Sequence, residues 1–172
     1  MVVVITGPES SGKTTLAQAI SNEFDFCLVP ELSRQILNQS NGEYDYGTID
    51  IISKEQWKCQ MNTTHQCIQV CCDTDLLTSI IWGKVKYNKY ESWWEATWLA
   101  SQVDCFLLCT PDLEWEFDPL RENPFDRDHL FEIYKRYLEF HDAPYYIIDG
   151  MGEERLNKAI HFIQPYLRSN KQ

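Results

Sequence analysis

Five short apolar runs, rich in β-branched and aromatic residues, punctuate the chain: Val2–Thr6, Phe26–Pro30, Ile68–Cys72, Asp104–Thr110 and Tyr145–Ile148. They read as strands apolar on both faces, which suits a parallel sheet covered on both sides. Between them the apolar positions shift to helical spacing. Lys13–Phe24 carries Leu16, Ala19, Ile20 and Phe24 on one face. Further helices are predicted to start within Glu31–Leu37, to run from Ser53 to about His65, and to span Leu76–Val85, Ser92–Ser101, Asp128–His141 and Glu153–Gln164. Ser53 with Gln56 reads as a capping box for the third of these. Pro165 is expected to end or kink the last, because proline lacks the backbone donor. Asn41–Tyr46 and Pro111–Arg127 read as loops. Alternating strands and helices predict an α/β fold, a three-layer sandwich around a five-stranded parallel sheet. No repeat or linker interrupts it, so residues 1–172 are expected to form a single domain.

Composition narrows the partners. The chain has 15 basic and 26 acidic residues and a net charge of -11. A protein that grips long nucleic acid needs a basic face, so none is expected here. A phosphate ligand must instead be held by a few placed cations and by backbone N–H groups. The apolar run Val2–Ile5 is too short for a signal sequence and lacks a basic flank, and no run reaches membrane-spanning length. A cytoplasmic protein without a membrane partner is expected. Seven cysteines are present, an odd number without a C-x-x-C pair. Cys27, Cys71, Cys72, Cys105 and Cys109 read as buried thiols in a reducing compartment. A metal or redox role for Cys67, Cys71 and Cys72 is the alternative.

The loop between the first strand and the first helix carries the sharpest signal. Gly7-Pro8-Glu9-Ser10-Ser11-Gly12-Lys13-Thr14 matches G-x-x-x-x-G-K-[ST], with a strand before it and a helix after it. The glycines allow backbone angles and close approach that a side chain would block. Successive N–H groups can then form an anion nest at a helix N-terminus. Gly7, Glu9, Ser10, Ser11, Gly12, Lys13, Thr14 and Thr15 are therefore the expected site for the phosphates of a nucleoside triphosphate. Lys13 should reach the β- and γ-phosphates, and the Thr14 hydroxyl should ligate Mg²⁺. Glu9 is unusual inside such a nest. It is placed to face an acceptor, to bind a cation or to remain a solvated loop residue.

Ligands of open parallel sheets lie beyond the carboxyl ends of the strands. The third strand ends in Asp73-Thr74-Asp75 and the second in Val29-Pro30-Glu31, with Arg34 one turn later. Asp73 is the candidate for the metal shell. Asp75 is a candidate for holding a sugar hydroxyl or for capping the following helix. Glu31 is a candidate proton acceptor, with Arg34 orienting it, touching the acceptor or simply pairing with it on the surface. The segment about 112–127 is irregular and bears Arg121 and Arg127, which suggests a lid whose arginines meet the phosphates. Asn88-Lys89-Tyr90-Glu91 follows no strand and ends in Glu, so a guanine clamp is discounted.

GPESSGKTT, VPELSR, DTDLLTS, DPLR with a following Arg127, and IIDGMGEER occur in that order. Together they resemble the ribosylnicotinamide kinase domain of the bifunctional NAD-biosynthesis regulator family, within a larger AAA-type ATPase/kinase group. The resemblance runs from about Val2 to about Ile163. It implies a P-loop kinase core similar to the nucleoside kinases. The implied activity is phosphorylation of the 5′-hydroxyl of nicotinamide riboside with ATP and Mg²⁺. It makes Arg121 and Arg127 lid residues, places Arg155 near the adenine, and makes Trp57, Tyr44 and Trp115 candidates for stacking the acceptor's ring. With the residues' own reading, Lys13, Glu31, Asp73, Arg121 and Arg127 are the expected catalytic set, Glu31, Arg34 and Asp75 the expected acceptor contacts, and Glu31, Asp73 or Asp75 the carboxylate on the acceptor hydroxyl. Full-length members carry a DNA-binding segment and an adenylyltransferase domain ahead of the kinase, so those activities are expected to be absent here or supplied by another protein. The alternatives are a kinase for another nucleoside or nucleoside monophosphate, and an ATP-binding switch that is not a kinase.

Overall fold

The computed structural model describes residues 1–39, 42–118, 121–122 and 125–169. The strands are β1 (Val2–Thr6), β2 (Cys27–Val29), β3 (Val70–Asp73), β4 (Cys105–Cys109) and β5 (Tyr145–Ile148). The helices are α1 (Lys13–Phe24), α2 (Ser33–Gln39), α3 (Tyr46–Gln66), α4 (Leu76–Tyr87), α5 (Ser92–Ala100), α6 (Arg127–Phe140) and α7 (Gly152–Ser169). The strands form one parallel sheet in the order β2-β3-β1-β4-β5. The expected α/β sandwich with five parallel strands is therefore the observed one.

Burial explains why β1 is central. Its alternate residues point to opposite faces. Val3 and Ile5 pack with Leu16, Ala17 and Ile20 of α1 and with Ala159 and Ile163 of α7. Val4 packs on the other face with Ile80 and Ile81 of α4, Trp94 and Trp98 of α5 and Leu138 of α6. All three valine and isoleucine side chains are fully buried, each contributing about 1.5–3 kcal/mol. The β1–β3 and β1–β4 registers set Ile5 beside Asp73 and beside Leu107. The P-loop and the acidic end of β3 thus emerge at the same sheet edge.

Three local expectations are corrected. Helix α3 starts at Tyr46, not Ser53, because Asp45 and Thr48 form its capping box: Thr48 N–H donates to Asp45 Oδ1 at 2.9 Å, and Asp45 N–H to Thr48 Oγ1 at 3.3 Å. Ser53 and Gln56 lie inside that helix and are buried. Gln56 accepts from Leu32 N–H at 3.0 Å and donates to the Pro30 carbonyl at 3.1 Å. Its polarity serves to pin the loop after β2, which carries Glu31. Second, Pro165 does not end α7, which continues through it to Ser169. Ile163, Tyr166 and Leu167 all reach the same core, and their packing outweighs the missing hydrogen bond. Third, Cys27 is not a free thiol: it forms a disulfide with Cys67, joining the start of β2 to the end of α3. The fold brings together two cysteines 40 residues apart, which no local pattern reveals. Cys71, Cys72, Cys105 and Cys109 are buried free thiols as expected. Burial pushes Cys71 and Cys105 up to about 12. Among the described residues, no group of three or more His, Cys, Asp or Glu side chains is placed to hold a metal ion, and no helix is long and apolar enough to cross a membrane.

Candidate active site

The loop from Gly7 to Gly12 wraps the N-terminus of α1 above the carboxyl edge of the sheet. Two glycines are required sterically. Gly7 has φ +131°, and a Cβ there would lie 2.7 Å from the Cys109 carbonyl oxygen of β4. Gly12 has φ +75°, and its Cβ would lie 2.7 Å from Leu113 Cδ1. The loop also ties itself together: Ser11 Oγ donates to the Pro8 carbonyl at 2.7 Å, and Lys13 Nζ donates to the same carbonyl at 2.6 Å. This ring of backbone with a lysine across its mouth suits an anion.

Below the loop sits the pair proposed for a metal. Asp73 is 2% exposed at the end of β3. The Thr14 hydroxyl faces its carboxylate and favours its charged form, while Oδ1 has no partner. Burial, with the Glu31 charge, raises Asp73 to about 6, against the opposing influence of Thr14, Lys13 and Arg34. A buried oxygen without a donor beside a hydroxyl gives two hard ligands. Hard oxygen ligands of this kind fit Mg²⁺.

A cavity of about 470 Å³ opens from the P-loop and extends over α2, α4 and α6. It gathers the expected Glu9, Glu31, Arg34 and Asp75 on one wall system with Lys13, Thr14 and Thr15. Ser33 donates its hydroxyl to Glu31. Asp75 is buried and caps α4, with Oδ1 accepting from Leu77 N–H at 3.1 Å. Its Oδ2 lacks a regular partner. Burial raises the carboxyl to about 7, while the Leu77 N–H and the Trp98 indole pull it the other way. The indole is turned toward Asp75 without closing a regular hydrogen bond. Tyr44 and Trp82 form an edge-on aromatic pair in the cavity wall, with ring centroids 5.1 Å apart.

The described residues of the segment 112–127 reach the P-loop through Glu116, Arg121 and Arg127. Arg121 donates to the Glu116 carbonyl at 2.6 Å and to Ser10 Oγ at 3.3 Å. Arg127 donates to the Ser10 carbonyl at 3.2 Å and to the Leu113 carbonyl at 2.9 Å. The Trp115 ring packs against both guanidinium groups, with centroid distances of 6.0 and 5.7 Å. Glu9 points away from the phosphate nest, and its carboxylate accepts the Glu122 N–H at 3.0 and 3.2 Å. The acid of the loop thereby ties the P-loop to Glu122. Arg34 forms an ion pair with Asp118 of the same segment.

Two expected site residues sit elsewhere. Trp57 faces a second cavity of about 780 Å³ at the opposite edge of the sheet, beside Met1, Val2 and Gln60. Helix α3 begins earlier than its sequence suggests, and residue 57 falls on the far side of the long helix. Arg155 is 4% exposed and does not line the P-loop cavity. It pairs with Asp112 and donates to the carbonyls of Ser11, Gly150 (2.7 Å) and Thr110 (3.3 Å). It braces the P-loop from behind. Trp82, Lys86 and Tyr134 line the cavity without having been singled out from sequence. Their helical spacing signals burial alone, and only the packing of α4 and α6 aims them at the site.

The strand order and the loop define a P-loop α/β domain with the architecture of the nucleoside kinases. The chain belongs to the AAA domain family, whose match covers residues 2–155. Its fold is similar to NadR protein in complex with NR, with a TM-score of 0.81 and 22% identity over 96% of this chain and 51% of that one. A second NadR structure, in complex with NAD and AMP-PNP, gives 0.76 and 22% over 96% and 49%. This chain therefore spans about half the length of those proteins. Deoxyadenosine kinase from M. mycoides with bound dCTP gives 0.64 and 15% over 96% and 100%. No curated protein matches the chain by sequence.

Proposed function

We propose that the protein is an ATP-dependent small-molecule kinase, and that its acceptor is the 5′-hydroxyl of nicotinamide riboside, giving the mononucleotide. One observation carries this reading: a single cavity joins the P-loop to a wall bearing Glu31, Asp75 and an aromatic pair. A phosphate donor and a ring-bearing hydroxyl compound fit side by side there. The likeness to NadR with bound NR supports the choice of acceptor. The Glu31 carboxylate on the cavity wall suits its cationic ring.

In this reading the nest from Gly7 to Thr15 cradles the phosphates of ATP. Thr14 and Asp73 would hold Mg²⁺, which would supply positive charge against the phosphates. Glu31 accepts the proton of the attacking hydroxyl, and Asp75 holds a sugar hydroxyl. Lys13, Arg121 and Arg127 bear the charge that spreads over the moving phosphoryl group. Positioning and charge stabilisation do most of the work, because phosphoryl transfer needs little covalent help.

The test is ATP consumption with Mg²⁺ against nicotinamide riboside, common nucleosides and nucleoside monophosphates. Stimulation by nicotinamide riboside alone is expected. Stimulation by another compound keeps the kinase and replaces its substrate. No stimulation, with ATP still bound, marks an ATP-binding switch. Lys13→Ala should lower turnover by about 10²–10³-fold with the fold intact, as removal of a charge stabiliser does. Normal turnover in that variant would refute the assignment.

A further inference from the structure

Lys86 lies on α4, in the cavity wall, and does not belong to the P-loop or the carboxylate set. Its Nζ donates to Tyr44 Oη at 2.6 Å and to both Glu122 oxygens at 2.7 and 2.9 Å. It also stands 4.0 Å from the Tyr44 ring centroid. Trp82 Nε1 donates to the same Tyr44 hydroxyl at 3.2 Å. On its other side, Glu122 reaches the P-loop through its own N–H, held by Glu9. Contacts therefore run unbroken from the aromatic wall, through Lys86 and Glu122, to Glu9. The next lid residue, Arg121, rests on Ser10 of the same loop. Partial burial works against the Lys86 charge, but Glu122 and Tyr44 outweigh it and hold the ammonium above its ordinary value.

We propose that the Lys86–Glu122 ion pair is a latch that couples the acceptor wall to the lid, so that Lys86 and Glu122 are positioning residues for Arg121. The inference deepens the kinase reading of the same cavity and rests on it for the catalytic consequence. Its structural core does not. An ordinary surface ion pair joins two side chains and nothing else. This one joins the aromatic pair of the acceptor wall to a backbone N–H held by the P-loop. When Tyr44 and Trp82 are fixed by a bound ring, the Lys86 head group is fixed with them, and Glu122 with it. Arg34 with Asp118 adds a second tie between the acceptor side and the lid.

The experiment reads the latch without turnover. Residue-resolved hydrogen exchange is measured for the Glu116 and Glu122 amides, which donate to Ser10 Oγ at 3.2 Å and to Glu9. The pair is partly exposed, at 33% and 41%, so each contribution is small. Lys86→Met and Glu122→Gln should each speed exchange at both amides by about two- to fivefold. The double variant should be no faster than either single one, and the swap Lys86→Glu with Glu122→Lys should restore much of the protection. Raised salt should speed the wild type and leave the double variant unchanged. Additive effects of the two substitutions, or unchanged exchange, would overturn the latch. In the kinetic arm, breaking the latch should lower kcat and raise KM for the acceptor while the affinity for ATP is kept. Wild-type protein that shows no acceptor-stimulated ATP consumption sinks the kinase reading alone, and the exchange result still decides the latch.

Discussion

Asp75→Asn isolates the cost of one buried carboxyl. The side chain is 3% exposed, and burial lifts it from an ordinary 3.8 to about 7. A carboxyl raised on folding holds more protons in the folded state than in the unfolded one, so stability falls as pH rises. Below about pH 3.8 both states are protonated and the penalty is absent. It then grows by about 1.4 kcal/mol per pH unit up to about pH 7 and is constant above that. The full span is about 4 kcal/mol. Asparagine cannot ionise, and its Oδ1 can keep the Leu77 cap. Whatever its amide costs in the buried site is the same at every pH. The difference in unfolding free energy between variant and wild type should therefore shift in favour of the variant by roughly 3 kcal/mol between about pH 4.5 and about pH 7.5. Urea unfolding followed by circular dichroism at stepped pH measures it. Parallel pH profiles for the two proteins would refute the reasoning, because Asp75 would then be ionised in both states alike. A matching loss of acceptor affinity would show that the carboxyl is retained for binding at a cost in stability.

Two other perturbations probe the scaffold. Arg155→Met removes the buried guanidinium that pairs with the exposed Asp112 and donates to three carbonyls. It should destabilise the fold by about 1–3 kcal/mol, from carbonyls left without a donor, and weaken binding of a non-hydrolysable ATP analogue, as read by urea unfolding and calorimetry. Unchanged nucleotide affinity would mean that the P-loop does not depend on its brace. Replacing Cys27 and Cys67 together by serine opens a covalent loop of 40 residues and should lower stability by about 2–4 kcal/mol. Equal unfolding midpoints for the variant and the oxidised wild type would remove the disulfide from the stability of this fold.

Much of this protein is fixed by short-range chemistry. The strand-loop-helix of residues 2–24 is legible because every requirement is local: β-branched residues for the strand, glycines where φ is positive, and a lysine and a threonine at the helix start. The apolar runs likewise announce buried parallel strands, since both faces of such strands meet helices. Local pattern also placed Asp73, Glu31 and the arginines of 112–127 at one edge, because consecutive parallel strands all end there. What the chain could not announce are pairings between distant residues. Asp45 with Thr48 caps the helix locally, whereas Ser53 donates to the Ile49 carbonyl and the polarity of Gln56 serves a contact with Pro30 and Leu32. The Cys27–Cys67 bridge, the Arg155–Asp112 brace and the Lys86–Glu122 tie each join segments 36 or more residues apart. Their partners are chosen by how helices pack on the sheet, and helical periodicity states only which face is buried. Trp57 shows the same limit from the other side: its aromatic character suited an acceptor site, yet the rotation and length of α3 direct it to the opposite edge. Residue types and spacing determine the phosphate nest; only the three-dimensional arrangement decides which side chains surround what binds beside it.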